Sequence, residues 1–324
     1  MSVALLFSPQ GSQVIGMGRD VSEALPAASA VYAAADAALG WSVSNVCWDG
    51  PEDHLNDTRQ TQPCLVTTSL ACLAALREAC SAAGAVLDPS FVAGHSVGEY
   101  AAIAAAGTLS PDDAVRLVAL RGSLMADVGR DGGMAAVIGL DRAAVEDVLR
   151  AIAPSGSIIV ANDNAPGQVV ISGTGPGLAA AEKRLREAGA KRLIPLRVSG
   201  PFHSPAMAPV GESLAAAFEK VTWSDADPPI VSNVTAEPVR EAPRIRELLA
   251  RQVSSPVEWV ASVRRMVDEG VDIFVECGPG SALTGMVRRI APQAQTLNVS
   301  DYPTLQATVA ALQSAAQIPA QVSV

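Results

Sequence analysis

An apolar run, Phe91-Val92-Ala93, leads into Gly94-His95-Ser96-Val97-Gly98, and an alanine-rich segment, Ala101 to Ala106, follows at once. A strand that turns into a helix over so few residues leaves the serine between them no ordinary conformation. The two glycines answer that constraint, because a nucleophile elbow bends so sharply that a Cβ two residues before or after the serine would strike neighbouring backbone. The first N–H groups of the following helix have no intrahelical partner and point at the turn, where negative charge on a reacting oxygen would gather. The stretch predicts an α/β chain with Ser96 as a candidate nucleophile; a purely structural turn is the alternative reading.

The rest of the chain alternates in the same manner. Val3 to Phe7 reads as a strand and runs into Ser8-Pro9-Gln10-Gly11-Ser12-Gln13, too rich in turn formers to continue it. Helices are expected around Ala24 to Leu39 and Pro63 to Ala82. Between about Gly133 and Leu196 the rhythm changes. Met134 to Gly139, Ser157 to Ala161, Gln168 to Ser172 and Lys191 to Leu196 read as strands, with helices at Arg142 to Ile152 and Leu178 to Ala188. This βαββαβ order is the ferredoxin-like pattern and predicts a small subdomain, 131–197, inserted in a larger α/β domain made of 1–130 and 198–317. Further strands are expected at Ile230 to Asn233 and Ile273 to Glu276, and 318–324 read as a loosely ordered tail.

Composition narrows the function classes. A net charge of −10 and a pI near 4.8 argue against nucleic acid as a general partner, since phosphate binding needs a basic face. The mean hydropathy of +0.27 comes largely from alanine; no apolar run reaches membrane-spanning length and no basic leader opens the chain, so a cytoplasmic location is expected. Five cysteines, at 47, 64, 72, 80 and 277, form no Cys-x-x-Cys pair and sit near no histidine cluster, which suggests neither a metal site nor a disulfide framework. Basic residues group at Lys183, Arg184, Arg186, Lys191 and Arg192 and again at Arg288-Arg289, where solvated helix faces are the plain reading.

A serine hydroxyl needs a base, and the chain has three histidines. His54 lies in a polar segment that reads as surface. His95 adjoins Ser96, and neighbours at a strand end point in opposite directions, so it reads as a buried, hydrogen-bonded histidine. His203 follows Phe202 in a proline-flanked loop where the chain re-enters the larger domain. It is the candidate base by elimination, with an ordinary loop histidine as the alternative. A stronger anomaly is Arg121. The helix opened by Ser110 as N-cap and Pro111 at its first position carries Leu117, Val118, Leu124, Met125 and Val128 on one face, with Arg121 in the middle of it and Arg116 off it in solvent. An arginine there either pairs with a buried carboxylate or reaches into a cleft to hold an anion.

Several separated motifs carry a family resemblance: Gln10-Gly11-Ser12-Gln13, Gln60-Thr61-Gln62-Pro63, Gly94 to Tyr100, Arg121-Gly122, Asn164 with Pro166-Gly167-Gln168, Phe202-His203, and Glu276 with Gly278-Pro279-Gly280. Together they make the chain resemble, over nearly its full length, the malonyl-CoA:acyl carrier protein transacylase family, including the discrete acyltransferases of polyketide synthases. The resemblance implies an α/β-hydrolase-like core with a ferredoxin-like insert. It also implies ping-pong transfer of malonyl from malonyl-CoA to the pantetheine thiol of an acyl carrier protein, in fatty acid or polyketide biosynthesis, without metal or redox cofactor. Ser96 would be the nucleophile, His203 the base, the backbone N–H groups of Gln10 and Val97 the oxyanion donors, and Arg121 the clamp on the malonyl carboxylate. A backbone carbonyl near Gln252 would orient the histidine, and Asn164, Phe202 and Gln252 would bind substrate, with Phe202 favouring malonyl over methylmalonyl. One departure stands out: Ser8-Pro9 replaces the usual Pro-Gly before the first glutamine and stiffens the loop that bears Gln10. Carrier proteins of the family are acidic, so docking on a chain of charge −10 calls for a local basic rim, expected at Lys191, Arg192, Arg288 and Arg289. The implied partners are the carrier protein and a coenzyme A thioester, and the chain is expected to be a monomer. A serine hydrolase with a structural Arg121 and a non-catalytic carrier-binding scaffold are the alternatives; Ser96, His203 and Arg121 together speak against the scaffold.

Overall fold

The computed structural model describes residues 2–128, 132–152 and 157–316. β1 (Val3–Phe7) is followed by α1 (Arg19–Ala24), α2 (Pro26–Leu39), α3 (Val43–Trp48), α4 (Glu52–Asn56) and α5 (Thr58–Ala83), then by β2 (Pro89–Gly94), α6 (Gly98–Ala105) and α7 (Pro111–Asp127). Next come β3 (Gly132–Ile138), α8 (Arg142–Ile152), β4 (Ile158–Ala165), β5 (Gln168–Thr174), α9 (Gly175–Glu187) and β6 (Arg192–Pro195). The chain closes with α10 (Ala208–Phe218), β7 (Ile230–Val231), β8 (Pro238–Val239), α11 (Ala242–Gln252), α12 (Trp259–Asp268), β9 (Ile273–Cys277), α13 (Ala282–Ile290), β10 (Gln295–Val299) and α14 (Tyr302–Ala316).

Two sheets organise these elements. The larger has six strands in the order β10-β9-β1-β2-β7-β8, parallel except for the last pair. β1 is apolar at every position because both of its faces are covered. Val3, Leu5 and Phe7 pack into a layer with Leu65, Leu73 and Tyr100, while Ala4 and Leu6 face Trp259, Phe274 and Leu283. The smaller sheet is antiparallel, in the order β4-β5-β3-β6. Alternation gives it two different faces. Ala135, Val137, Val160, Val169 and Ile171 meet Val145, Leu149, Ala181 and Leu185 of α8 and α9, whereas Met134, Ala136 and Val170 turn to the core of the larger layer. Bonds from Val257 N–H to Ala161 O (2.8 Å) and from Asp163 N–H to Val257 O (3.1 Å) stitch β4 to the large domain.

Several element ends differ from the sequence expectations. α5 starts at Thr58, not Pro63, because Asp57 caps it by accepting from Arg59 N–H at 2.9 Å, and Pro63 sits inside the helix. Leu25 is extended, so the helix expected from Ala24 starts at Pro26 after a separate α1. Val128 lies beyond the end of α7 in extended backbone, and so is not part of the helical face that carries Arg121. The strand expected to reach Asn233 stops at Val231. β8 and β10 were not anticipated. α5, 26 residues long, would be long and apolar enough to cross a membrane by length and composition alone, and most of it is buried within the protein. The expected tail 318–324 and the expected subdomain boundary at 130–131 lie outside the described residues.

Candidate active site

In the parallel register Phe7 stands beside Gly94 of β2 and Cys277 of β9. The segments that follow these three strands therefore open at one sheet edge, beyond the carboxyl ends of the strands, where parallel sheets bind ligands. The elbow there is as crowded as its sequence suggests. A Cβ on Gly94 would stand 2.0 Å from the backbone of Gly98, and one on Gly98 would stand 2.2 Å from Phe7 O. Ser96 has φ of 53°, left-handed backbone that costs a non-glycine residue about 1–2 kcal/mol, so the surroundings must hold it. Asn233 does so. Its Oδ1 accepts from Ser96 N–H and its Nδ2 donates to Gly94 O, both at 2.7 Å.

His203, also at positive φ (58°), reaches Ser96 from the loop before α10, with Nε2 2.7 Å from Ser96 Oγ. Its Nδ1 faces two carbonyl oxygens, those of Gln252 at 3.0 Å and Ser255 at 3.2 Å. Two acceptors fix the proton on Nδ1, which leaves Nε2 free to accept from the serine hydroxyl. Burial, with the Arg121 charge beside it, pushes the imidazole down to about 3, so it is neutral at ordinary pH.

Arg121 is 1% exposed. Gly122 explains how α7 comes close enough to place it: a Cβ there would meet Thr58 O at 2.7 Å, so the helix backbone lies against the start of α5 and brings Gln62 alongside. Arg121 Nη1 donates to Gln62 Oε1 at 2.7 Å, and Nη2 donates to Gln252 Oε1 at 3.0 Å and to Ser96 Oγ at 3.1 Å. The Tyr100 ring lies 5.8 Å from the guanidinium carbon, and Nε has no partner among the described residues. No described carboxylate pairs directly with the guanidinium; neutral amides hold it against the serine.

A cavity of about 380 Å³ opens over this group, lined by Gln10, His95, Ser96, Asn164, Phe202 and His203, with Met134 and Val170 of the small sheet forming part of its wall. β4 changes register between Asp163 and Ala165, and there Asn164 Oδ1 meets His95 Nε2 at 2.8 Å. Burial pushes His95 down to about 4. In the loop after β1, Gly11 N–H goes to Gln13 Oε1 and Ser12 N–H to Pro9 O, whereas the backbone N–H groups of Gln10 and Val97 have no acceptor among the described residues.

The four rim residues are exposed but differ in their ties. Arg289 donates to Gln168 Oε1 at 2.6 Å and to Pro166 O, binding α13 to the β4–β5 turn. Arg288 donates to Thr296 Oγ1 at 2.9 Å, and the Lys191 stem packs over Gly139. His54 is exposed, and all five cysteines are buried thiols. No described group of three His, Cys, Asp or Glu side chains is arranged to hold a metal.

Sequence reasoning missed Asn233, Glu99 and the side-chain roles of Gln62 and Gln252. Glu99 and Gln62 lie inside quoted motifs, so position within a motif was the available signal. Asn233 gave none, since it reads as the end of a strand.

Comparison with known proteins agrees with this geometry. The acyl transferase domain family matches residues 4–318. A malonyl CoA-acyl carrier protein transacylase of Bacillus subtilis is 41% identical over 96% of this chain and 97% of its own length, and that of Escherichia coli K12 is 38% identical over 96% and 98%. Among solved structures, a malonyl-transacylase in complex with a type II PKS acyl-carrier protein superposes with a TM-score of 0.90 at 36% identity, covering 96% of this chain and all of that one. An acyl-carrier-protein S-malonyltransferase from Burkholderia pseudomallei gives 0.91 at 37% identity over the same shares. With a serine and a histidine lining one cavity, a buried arginine bonded to that serine and relatives matched end to end, the chain belongs to the acyl transferase family represented by the malonyl-CoA:acyl carrier protein transacylases, and it is an acyltransferase.

Proposed function

We propose that the protein transfers a malonyl group from malonyl-CoA to the pantetheine thiol of an acyl carrier protein, by a ping-pong route through a malonyl ester of Ser96. The observation that carries this reading is the buried Arg121, whose Nη2 lies 3.1 Å from Ser96 Oγ while Nε, on the same edge of the guanidinium, has no partner among the described residues. That edge can pair with a carboxylate in bidentate fashion, and malonyl-CoA has one free carboxylate close to its thioester.

The steps follow from the proton positions. His203 Nε2 takes the Ser96 proton as Oγ attacks the thioester carbonyl, and the N–H groups of Gln10 and Val97 stabilise the oxyanion. Collapse breaks the carbon–sulfur bond, and the departing coenzyme A thiolate takes the proton from His203. In the second half the carrier's pantetheine thiol gives its proton to Nε2, its sulfur attacks the malonyl ester, and Ser96 Oγ leaves and is reprotonated. The Gln252 carbonyl supports Nδ1–H as the imidazole becomes charged, in the place an acidic side chain takes elsewhere. Asn164 holds His95 at the cavity wall, and the bulk of Phe202 favours an unbranched malonyl unit.

The fold reading belongs to the same proposal. Residues 1–130 and 198–317 form an α/β-hydrolase-like core and 131–197 a ferredoxin-like insert, supported by the β4-β5-β3-β6 order. The carrier docks on the seam between them through Lys191, Arg192, Arg288 and Arg289. The protein acts as a cytoplasmic monomer, and the reaction as written needs no metal or redox cofactor.

The test is intact-protein mass after mixing with malonyl-CoA, then with holo carrier protein. Wild type gains one malonyl group, preferring it over an equal amount of methylmalonyl-CoA, and loses it to the carrier; Ser96→Ala gains none. A malonyl adduct on the variant moves the nucleophile elsewhere, and discharge to free malonate as fast without carrier as with it replaces transfer by hydrolysis.

A further inference from the structure

We infer that Glu99 is a positioning residue that fixes the orientation of the Gln252 side-chain amide and, through it, the direction of the Arg121 guanidinium; the inference rests on the malonyl-transfer reading above. Glu99 is in the first turn of α6, 4% exposed, and touches neither the cavity nor Ser96 Oγ. Its Oε1 accepts from Asn233 N–H at 3.1 Å and its Oε2 from Gln252 Nε2 at 2.6 Å.

The argument is one of donors and acceptors. Gln252 Nε2 has two hydrogens, and they go to Glu99 Oε2 and to Ser96 O, the latter at 2.7 Å. Burial pushes Glu99 up to about 7; above that pH both partners are acceptors only, so the amide has one workable orientation. In that orientation Oε1 must face Arg121, and it accepts from Nη2 at 3.0 Å. The Nη2 that Gln252 holds is the nitrogen that also reaches Ser96 Oγ. A flipped amide would set Nε2 against Nη2, donor against donor, and Oε1 against Ser96 O, acceptor against acceptor. Glu99 makes that flip unfavourable. The Asn233 N–H that Oε1 accepts explains why the Glu99 carboxylate cannot simply turn away, since Asn233 is also the residue that holds the elbow.

A carboxylate serving only to anchor the start of α6 would affect stability and leave acyl selectivity alone. The inferred role affects selectivity, because Arg121 recognises the malonyl carboxylate and an acetyl group has none. The isosteric Glu99→Gln keeps one acceptor for two donors, Asn233 N–H and Gln252 Nε2, so whichever way its amide turns the charge-assisted bond to Gln252 is lost or weakened, and the ratio of malonyl to acetyl loading should fall by about ten- to a hundredfold, the worth of one such bond of about 1.5–3 kcal/mol. Glu99→Asp, which keeps the charge one methylene short, should fall between that variant and wild type. Combining Glu99→Gln with Gln252→Ala should be no worse for the ratio than the poorer single variant, because both break one path.

Loading is read by intact mass on variants whose circular dichroism matches wild type, and Glu99→Asp carries the cycle if Glu99→Gln does not fold. A ratio within twofold of wild type, or additive losses in the double variant, overturns the inference. Wild type that forms no malonyl adduct overturns the transfer reading instead, and the two failures are read from different samples.

Discussion

In the small antiparallel sheet Ala135, Val137, Val169 and Ile171 turn inward by simple alternation, and the charges of its helix α9 stay in solvent, where Arg184 and Arg186 pair with Glu187 and Glu182 at 3.3 and 2.9 Å. At the elbow of the large sheet the opposite holds. Arg121, Glu99, Gln252, Asn233 and His203 are all buried, and Ser96 and His203 both take left-handed backbone. Exposed ion pairs such as those on α9 contribute little, about 0–1 kcal/mol each. A buried guanidinium with no carboxylate in direct contact is held against its desolvation by hydrogen bonds to neutral amides, the Tyr100 ring and the more distant Glu99 charge, and a domain built only for stability would not keep it. The contrast separates two uses of sequence: one region satisfies packing, and the other departs from it where a reacting group must be held.

The contrast breaks most visibly at Arg121. Arg121→Ala should cut malonyl loading by about 10²–10⁴-fold, as expected when one partner of a buried charged contact is removed at a cost of about 3–5 kcal/mol. Acetyl loading should change far less, and lysine should restore malonyl loading only in part, since it lacks the planar fork. Equal losses of malonyl and acetyl loading in a folded variant would make Arg121 a structural element and remove the carboxylate clamp.

The complementary change lies in the small sheet. Leu185, fully buried between α9 and its sheet, does not line the cavity. Leu185→Ala should cost about 2–4 kcal/mol of stability in a denaturant titration while leaving the rate of malonyl loading per folded molecule within about twofold of wild type. If loading falls in proportion to stability, the small sheet contributes to the rigidity of the site as well as to its wall.

What could be read from the sequence follows the same division. Ser96 and Arg121 were legible as candidates because each breaks a local rule, a serine between required glycines and an arginine in an apolar stripe; His203 was left by elimination, and the family resemblance gave all three their expected roles. The strands of the small antiparallel sheet were legible because alternation and helix periodicity are local. Asn233, Glu99 and the side chain of Gln252 were not, since their roles arise only when β2, α6 and the end of α11 meet through the register of the large sheet. The start of α5 was misjudged for a related reason: a proline reads as a helix start, yet Asp57 had already capped the helix upstream. β10 escaped notice because Gln295–Val299 alternates weakly, and it forms on an edge that β9 provides.

The smallest expected effect concerns the rim, where Arg288 and Arg289 differ more than adjacent surface arginines usually do. Arg289 ties α13 to Pro166 and Gln168, so reversing its charge would disturb the seam between the sheets as well as any partner. Arg288 makes one side-chain hydrogen bond among the described residues, to Thr296, and is exposed. On a chain of net charge −10 an acidic carrier is repelled at long range, so a single exposed cation near the cavity matters mainly for encounter. Arg288→Glu should therefore slow transfer to carrier protein by about three- to tenfold at low ionic strength and leave loading from malonyl-CoA unchanged. The difference should shrink as salt is raised, because the Debye length falls to about 8 Å at physiological ionic strength and further above it. Loss of both half-reactions by one factor would mean that the substitution reaches the site, and a defect in carrier transfer that persists undiminished in high salt would mean that Arg288 makes a desolvated contact instead of steering the approach.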